Sequence, residues 1–139
     1  MRMVQHRLTL STEGQGLLEI TRDIARWVAE TGMSRGLLTL YLPHTSASLL
    51  IQENAAPEVR ADLADFFAAL APEDPRRYRH NDEGPDDMPA HIRAAVLPTQ
   101  LSIPLAEGRL VLGTWQGIFL VEHRRAPHHR HLILHLHGE

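Results

Sequence analysis

The segment HNDEGPDDMPAHI, His80 to Ile92, gathers four carboxylates, Asp82, Glu83, Asp86 and Asp87, between two histidines, His80 and His91. Histidine is the commonest metal ligand and the usual proton-transfer residue near neutral pH. Carboxylates lining a loop suit a cation. The free N–H groups of a helix beginning near Pro89 suit an anion, and His91 would fall in its first turn. A metal–phosphate site needs both in one place. The plain alternative is an acidic solvated loop, since Gly84, Pro85 and Pro89 make most of the stretch unfit for helix or strand.

Three other segments carry candidate chemistry. In LPHTSASLLIQEN, His44 follows a strand end, where a sheet can fix the backbone of a ligand. Thr45, Ser46 and Ser48 follow it, and their hydroxyl and N–H groups can bind phosphate; the alternative is a polar turn. In GRLVLGTWQGIFLVEHR, Gly113 and Gly117 flank Trp115 and Gln116. Glycines there permit a tight turn or close approach by a ligand. Trp115 can stack on an aromatic ring and Gln116 can hydrogen-bond one; the alternative is a bulged hairpin with a core tryptophan. Glu122 and His123 then face opposite sides of a strand, so one of them meets the interior and needs a partner there. In HHRHLILHLHGE, His131, His135 and His137 share one strand face. They spread over about 20 Å, too far for one zinc with bonds of about 2 Å. That face reads as solvent-facing or as packing between subunits.

The elements that must position these groups follow from periodicity. VQHRLTL alternates as a half-buried strand. GLLEITRDIARWVAETG reads as a helix with Leu17, Ile20, Ile24, Trp27 and Val28 on one face and Gly32 as its stop. SRGLLTLYLPH and ASLLIQEN are strands. PEVRADLADFFAALAP is the clearest helix, and its stripe Val59, Leu63, Phe66, Phe67, Leu70 is expected to pack on a sheet as core. PAHIRAAVL is a short helix. TQLSIPL, LVLG, GIFLVEH and RHLILHLHG are strands, with a turn at AEGR. The pattern predicts an α+β fold, a single domain over 1–139 with a largely antiparallel β-sheet and a few helices.

Composition narrows the classes. With 139 residues, 43% hydrophobic and 22% charged, the chain has the make-up of one ordinary globular domain. A net charge of −3 and scattered basic residues give no field for nucleic acid. There is no cysteine, so disulfides and thiolate zinc sites are excluded. No apolar stretch is long enough for a membrane span, and MRMVQHRLTLS lacks a signal-peptide core. A cytoplasmic setting is expected.

Four blocks, HTSASLLIQEN, HNDEGPDDMPAHI, GRLVLGTWQGI and EHR, occur in an order and at separations that closely resemble the YjbQ family, also called the secondary thiamine-phosphate synthase family. The resemblance covers nearly the whole chain. It implies an α+β fold, a homotrimer, a metal-associated polar site and a weak activity that joins a pyrimidine methyl diphosphate to a thiazole phosphate, releasing pyrophosphate. His44, His80, Glu83, Gly84, Asp87, His91, Gly113, Thr114, Trp115, Gln116, Gly117 and Glu122 match its motif positions, and Arg130 matches a basic position near the end.

On that resemblance, His44, His80 and His91 are expected to hold a divalent metal, zinc or another transition metal, or magnesium. Thr45, Ser46, Trp115, Gln116 and Arg130 would bind a phosphorylated small-molecule substrate. Glu83, Asp87 and Glu122 would be the catalytic carboxylates. Imidazole ligands fit zinc better than magnesium, which keeps a metal-dependent hydrolase of phosphate esters as an alternative reading. A non-enzymatic trimeric metal- or metabolite-binding protein is the other alternative.

Overall fold

A computed structural model describes residues 1–139. Eight strands and three helices follow one another as β1 (Arg2–Thr12), β2 (Gly16–Glu19), α1 (Thr21–Thr31), β3 (Gly36–Tyr41), β4 (Ala47–Glu53), α2 (Pro57–Leu70), α3 (Asp87–Val96), β5 (Gln100–Ala106), β6 (Arg109–Leu110), β7 (Gln116–Glu122) and β8 (His128–Gly138). They build a five-stranded sheet, β1-β8-β3-β5-β6, and a three-stranded sheet, β2-β7-β4. Every pairing is antiparallel. The fold is α+β, as the element pattern predicts.

The core lies between the sheets because alternation delivers one face of each strand to it. Leu132, Leu134 and Leu136 of β8 are buried, and in register beside them stand Leu38 and Leu40 of β3. Leu49 of β4 and Ile118 and Leu120 of β7 oppose them, and Ile24 and Val28 of α1 close one end. Helix α1 stops at Gly32, whose φ of 70° is the left-handed cap that glycine adopts without strain. Gly36 and Gly138 are forced by proximity: a Cβ on Gly138 would sit 2.1 Å from the Arg35 carbonyl oxygen.

Three expectations need correction. Residues Gly16–Glu19 form a strand rather than the first turn of α1, because Leu17 and Leu18 pair with Val121 and Leu120 of β7; tertiary pairing overrides the helical spacing. The α2 stripe is not core: no residue of α2 is buried, and Phe66 is 59% exposed. Of LVLG only Leu110 lies in a strand, the two-residue β6. No helix is long and apolar enough to cross a membrane.

Candidate metal centre

Helix α3 begins at Asp87, two residues before the expected start at Pro89. His91 is therefore not in the first turn. It lies at i+4 from Asp87, and that spacing stacks the two side chains on one helix face. The preceding loop turns at Gly84, whose φ of 100° favours glycine, and brings His80 and Glu83 back over the same face. One ligand atom from each of His80, Glu83, Asp87 and His91 lies within 4.8 Å of the other three.

The contacts are specific. Oδ2 of Asp87 is 3.0 Å from Nε2 of His80 and 3.2 Å from Nε2 of His91. Nε2 of His80 is also 2.9 Å from Glu83, and its Nδ1 is 3.2 Å from Asp82. The hydrogen bond that His80 donates to Glu83 raises its pKa above the ordinary value, and Asp82 and Asp87 act in the same direction. The Asp87 side chain is 4% exposed, whereas that of Glu83 is 61% exposed. The site is thus anchored at its floor and open at its rim.

His91 fixes its own tautomer. Its Nδ1 is 3.0 Å from the backbone carbonyl of Thr45. A carbonyl only accepts, so Nδ1 carries the proton. With Nδ1 so committed, a neutral ring turns its Nε2 lone pair toward the Asp87 carboxylate, and a protonated ring donates to it, across 3.2 Å. A proton or a cation has to stand between them. A metal-binding histidine commonly donates its other ring N–H to a carbonyl in this way, which fixes the ring's orientation. Two donors bound to zinc at about 2.0–2.2 Å lie at most about 4.4 Å apart, so a small contraction of the four residues accommodates an ion. Two nitrogens and two oxygens suit zinc or manganese better than magnesium.

Arg124, just after β7, secures the loop from behind. Its guanidinium donates to Asp86 at 3.0 Å, to Asp87 Oδ1 at 2.7 Å and to the Glu83 carbonyl at 3.1 Å. The Arg125 N–H donates to Asp86 at 2.9 Å. Burial works against an ionised Asp86, but these donors outweigh it and hold its carboxyl below the usual range. The sequence reading gives Arg124 no role and counts Asp86 among the carboxylates suited to a cation; in the structure Asp86 is taken up by Arg124. The signal was the EHR block itself, whose arginine is the residue that reaches the acidic loop.

The other expected site residues fall elsewhere. His44 is not among the four: its Nε2 accepts the His131 N–H at 2.8 Å, and burial, with the charges of Arg130 and His131, lowers its pKa. The expected ligand His44 stands instead on the wall of the adjoining shallow cavity of about 310 Å³, which Thr45 and His91 also line. Thr45 contributes its carbonyl to His91. Ser46 is buried, and its oxygens accept from Arg130 at 2.9 and 3.2 Å. Arg130 is in turn paired with Glu122 at 2.8 and 2.5 Å, and Thr12 donates to Glu122 at 2.6 Å. The structure places Ser46, Glu122 and Arg130, expected at a substrate and catalytic site, in one buried ion-pair network. Both strands turn these charges inward, and each charge neutralises the other. Burial disfavours the Glu122 carboxylate, yet hydrogen bonds from Arg130, Thr12 and the Arg124 N–H bring its pKa below the ordinary value. His123 is buried as well, with Nε2 2.9 Å from the Ser48 hydroxyl, so both residues of the Glu122–His123 pair meet the interior.

Trp115 is 62% exposed, which excludes the core reading within this chain. Gln116 accepts the Gly113 N–H at 2.8 Å and closes the loop. This loop precedes β7, while Arg124 follows it. The length of β7 is about 20 Å, so Trp115 and Gln116 do not reach the acidic loop of the same chain.

The family described as UPF0047 protein YjbQ-like matches residues 6–139. The UPF0047 protein sll1880 of Synechocystis sp. is 54% identical over 138 residues, 99% of this chain and 94% of the relative. The UPF0047 protein YjbQ of Escherichia coli O157:H7 is 45% identical over 136 residues, 97% of this chain and 98% of the relative. A crystal structure of a hypothetical protein from Aeropyrum pernix K1 superposes with a TM-score of 0.88 at 32% identity, covering 98% of this chain and 99% of that one. With matches of this length and identity, the chain belongs to the YjbQ-like UPF0047 family.

Proposed function

We propose that this protein is a divalent-metal enzyme acting on a phosphorylated small molecule, with its ion held by His80, Glu83, Asp87 and His91. The observation that carries this reading is the gathering of His80, Glu83, Asp87 and His91 within 4.8 Å, with Nε2 of His91 3.2 Å from the Asp87 carboxylate and its Nδ1 committed to the Thr45 carbonyl. A bound divalent ion would supply Lewis-acid stabilisation of charge developing on phosphate oxygens. The chain's own groups do the rest. Arg124 and the Thr45 carbonyl fix the orientation of Asp87 and His91. Glu83, at the open rim, is placed to take or hold a proton at the reacting centre. The reaction implied by the family resemblance is weak formation of thiamin phosphate from the two phosphorylated precursors.

Hydrolysis of a phosphate ester is the second reading, and the mixed imidazole–carboxylate donor set favours it over a pure diphosphate–magnesium chemistry. A homotrimer suits either reading. The Trp115 platform lies about 20 Å from the acidic loop of its own chain, and a neighbouring copy is what can bring the two together.

The test begins with untagged protein purified without added metal. Stoichiometric zinc, manganese or iron is expected, and His91→Ala is expected to lose it while retaining the fold. Equal metal content in wild type and variant sinks the site. Parallel assays of thiamin phosphate formation and of phosphate-ester hydrolysis, with Zn²⁺, Mn²⁺ and Mg²⁺, then separate the two reactions. Stoichiometric metal with no turnover in either assay replaces the enzyme with a metal-binding protein.

A further inference from the structure

On the opposite side of α3 from the metal centre lies a second cavity, of about 230 Å³, between α2, β2 and the end of β7. Its apolar wall includes Leu17, Ala64, Phe67 and Val121; Arg93 and His123 are among its polar lining. Arg93 is only 6% exposed and His123 only 2%. Nε and Nη2 of Arg93 donate to the Phe67 and Ala71 carbonyls at 3.0 and 2.9 Å. Nη1 has no partner in the chain. No polar side-chain atom is sealed off unpaired in this protein, so Nη1 is not fully enclosed, and its residue lines the cavity. The same holds for Nδ1 of His123, whose Nε2 is taken by Ser48.

Arg93 has no carboxylate within ion-pair distance. The carboxylates whose charge acts on it are already engaged, Glu73 with Arg125 and Asp86 with Arg124. A buried guanidinium with only carbonyl partners retains one uncompensated positive charge. Glu122, which also lines the cavity, is neutralised by Arg130. The Ser48 hydroxyl can donate to Nε2 of His123, which leaves Nδ1–H as a donor beside Arg93.

We infer that this cavity binds a small monocarboxylate with a short aliphatic tail, its carboxylate on Arg93 Nη1 and His123 Nδ1 and its tail against Leu17, Phe67 and Val121. One uncompensated cation matches one negative charge and not a phosphate dianion or a diphosphate. The apolar wall needs an apolar body. A volume of about 230 Å³ lies below the usual range for drug-sized ligands, about 300–1,000 Å³, and restricts the ligand to a few heavy atoms.

The experiment is an NMR titration of the ¹⁵N-labelled full chain, in EDTA, with acetate, propionate, butyrate and inorganic phosphate. EDTA separates this site from the metal centre, because binding here needs no ion. Saturable shifts are expected around Arg93 and His123, with affinity rising about fourfold per added methylene until the cavity is full. Phosphate is expected to leave those signals unmoved. Arg93→Met keeps the length of the side chain and removes its charge, and is expected to weaken butyrate at least tenfold. Should that variant fail to fold, Ala64→Leu narrows the cavity from the α2 side and is expected to do the same. No saturable shift with butyrate, affinity independent of chain length, phosphate binding as tightly as butyrate, or unchanged butyrate binding in Ala64→Leu would each overturn the inference.

Discussion

Acid should destabilise this protein through His123, and His123→Gln should remove that effect. The imidazole is 2% exposed. Burial, followed by the charge of Arg93, pushes its pKa down from 6.5 to about 4. The unfolded chain therefore binds a proton between those values that the folded chain refuses. Stability from this group is complete above pH 6.5 and is lost as pH falls through the window to about 4. At about 1.36 kcal/mol per unit, the loss from this one group is about 3 kcal/mol, a large share of the roughly 5–15 kcal/mol that holds a domain folded. Glutamine can keep a hydrogen bond to Ser48 but cannot titrate. Urea unfolding of both proteins at closely spaced pH values measures the difference directly. Asp86 and Glu122, whose pKa values are also lowered, lose stability with acid in both proteins and cancel in the comparison. The wild-type advantage over His123→Gln should shrink by about 3 kcal/mol from pH 7 to pH 4. A pH-independent difference would show that His123 titrates normally, and the burial argument would fail with it.

Further outcomes follow from the same geometry. Glu122→Gln is expected to cost about 3–5 kcal/mol, because it strands the buried Arg130 charge; the double variant Glu122→Gln, Arg130→Met should cost less than the two single changes together, and strict additivity in denaturant unfolding would show the pair to be uncoupled. Trp115→Ala should leave stability within about 0.5 kcal/mol, as for other surface positions, since the indole is 62% exposed; a marked drop in melting temperature would mean that a neighbouring copy covers it. Sedimentation is expected to give three times the chain mass. Leu37→Lys, on the outward face of β3 where Leu37 is 45% exposed, should reduce it, and a monomeric wild type at micromolar concentration would remove the trimer.

What could be read from the chain alone was local. The alternation of Leu132, Leu134 and Leu136 with His131, Ile133 and His135 is a property of one strand, and the structure keeps it. His80, Glu83, Asp87 and His91 lie within twelve residues, so a loop and one helical turn suffice to gather them, and the segment named itself. Even there, a helix start displaced by two residues decided that Asp87 and His91 share a face. Everything that depended on which strands become neighbours was out of reach. The residues at Gly16–Glu19 have helical spacing but find a partner in β7, and pairing energy outweighs weak local preference. Glu122, Arg130 and Ser46 have the chemistry of a phosphate site. Only the three-dimensional arrangement sets them within 2.5–3.2 Å of one another, where they satisfy each other instead of a substrate. Nε2 of His44 is engaged by a single backbone N–H, eighty-seven residues away in sequence. Long-range contacts of this kind leave no periodic trace, because the residues concerned are ordinary polar side chains until folding removes their water and requires each to find a partner.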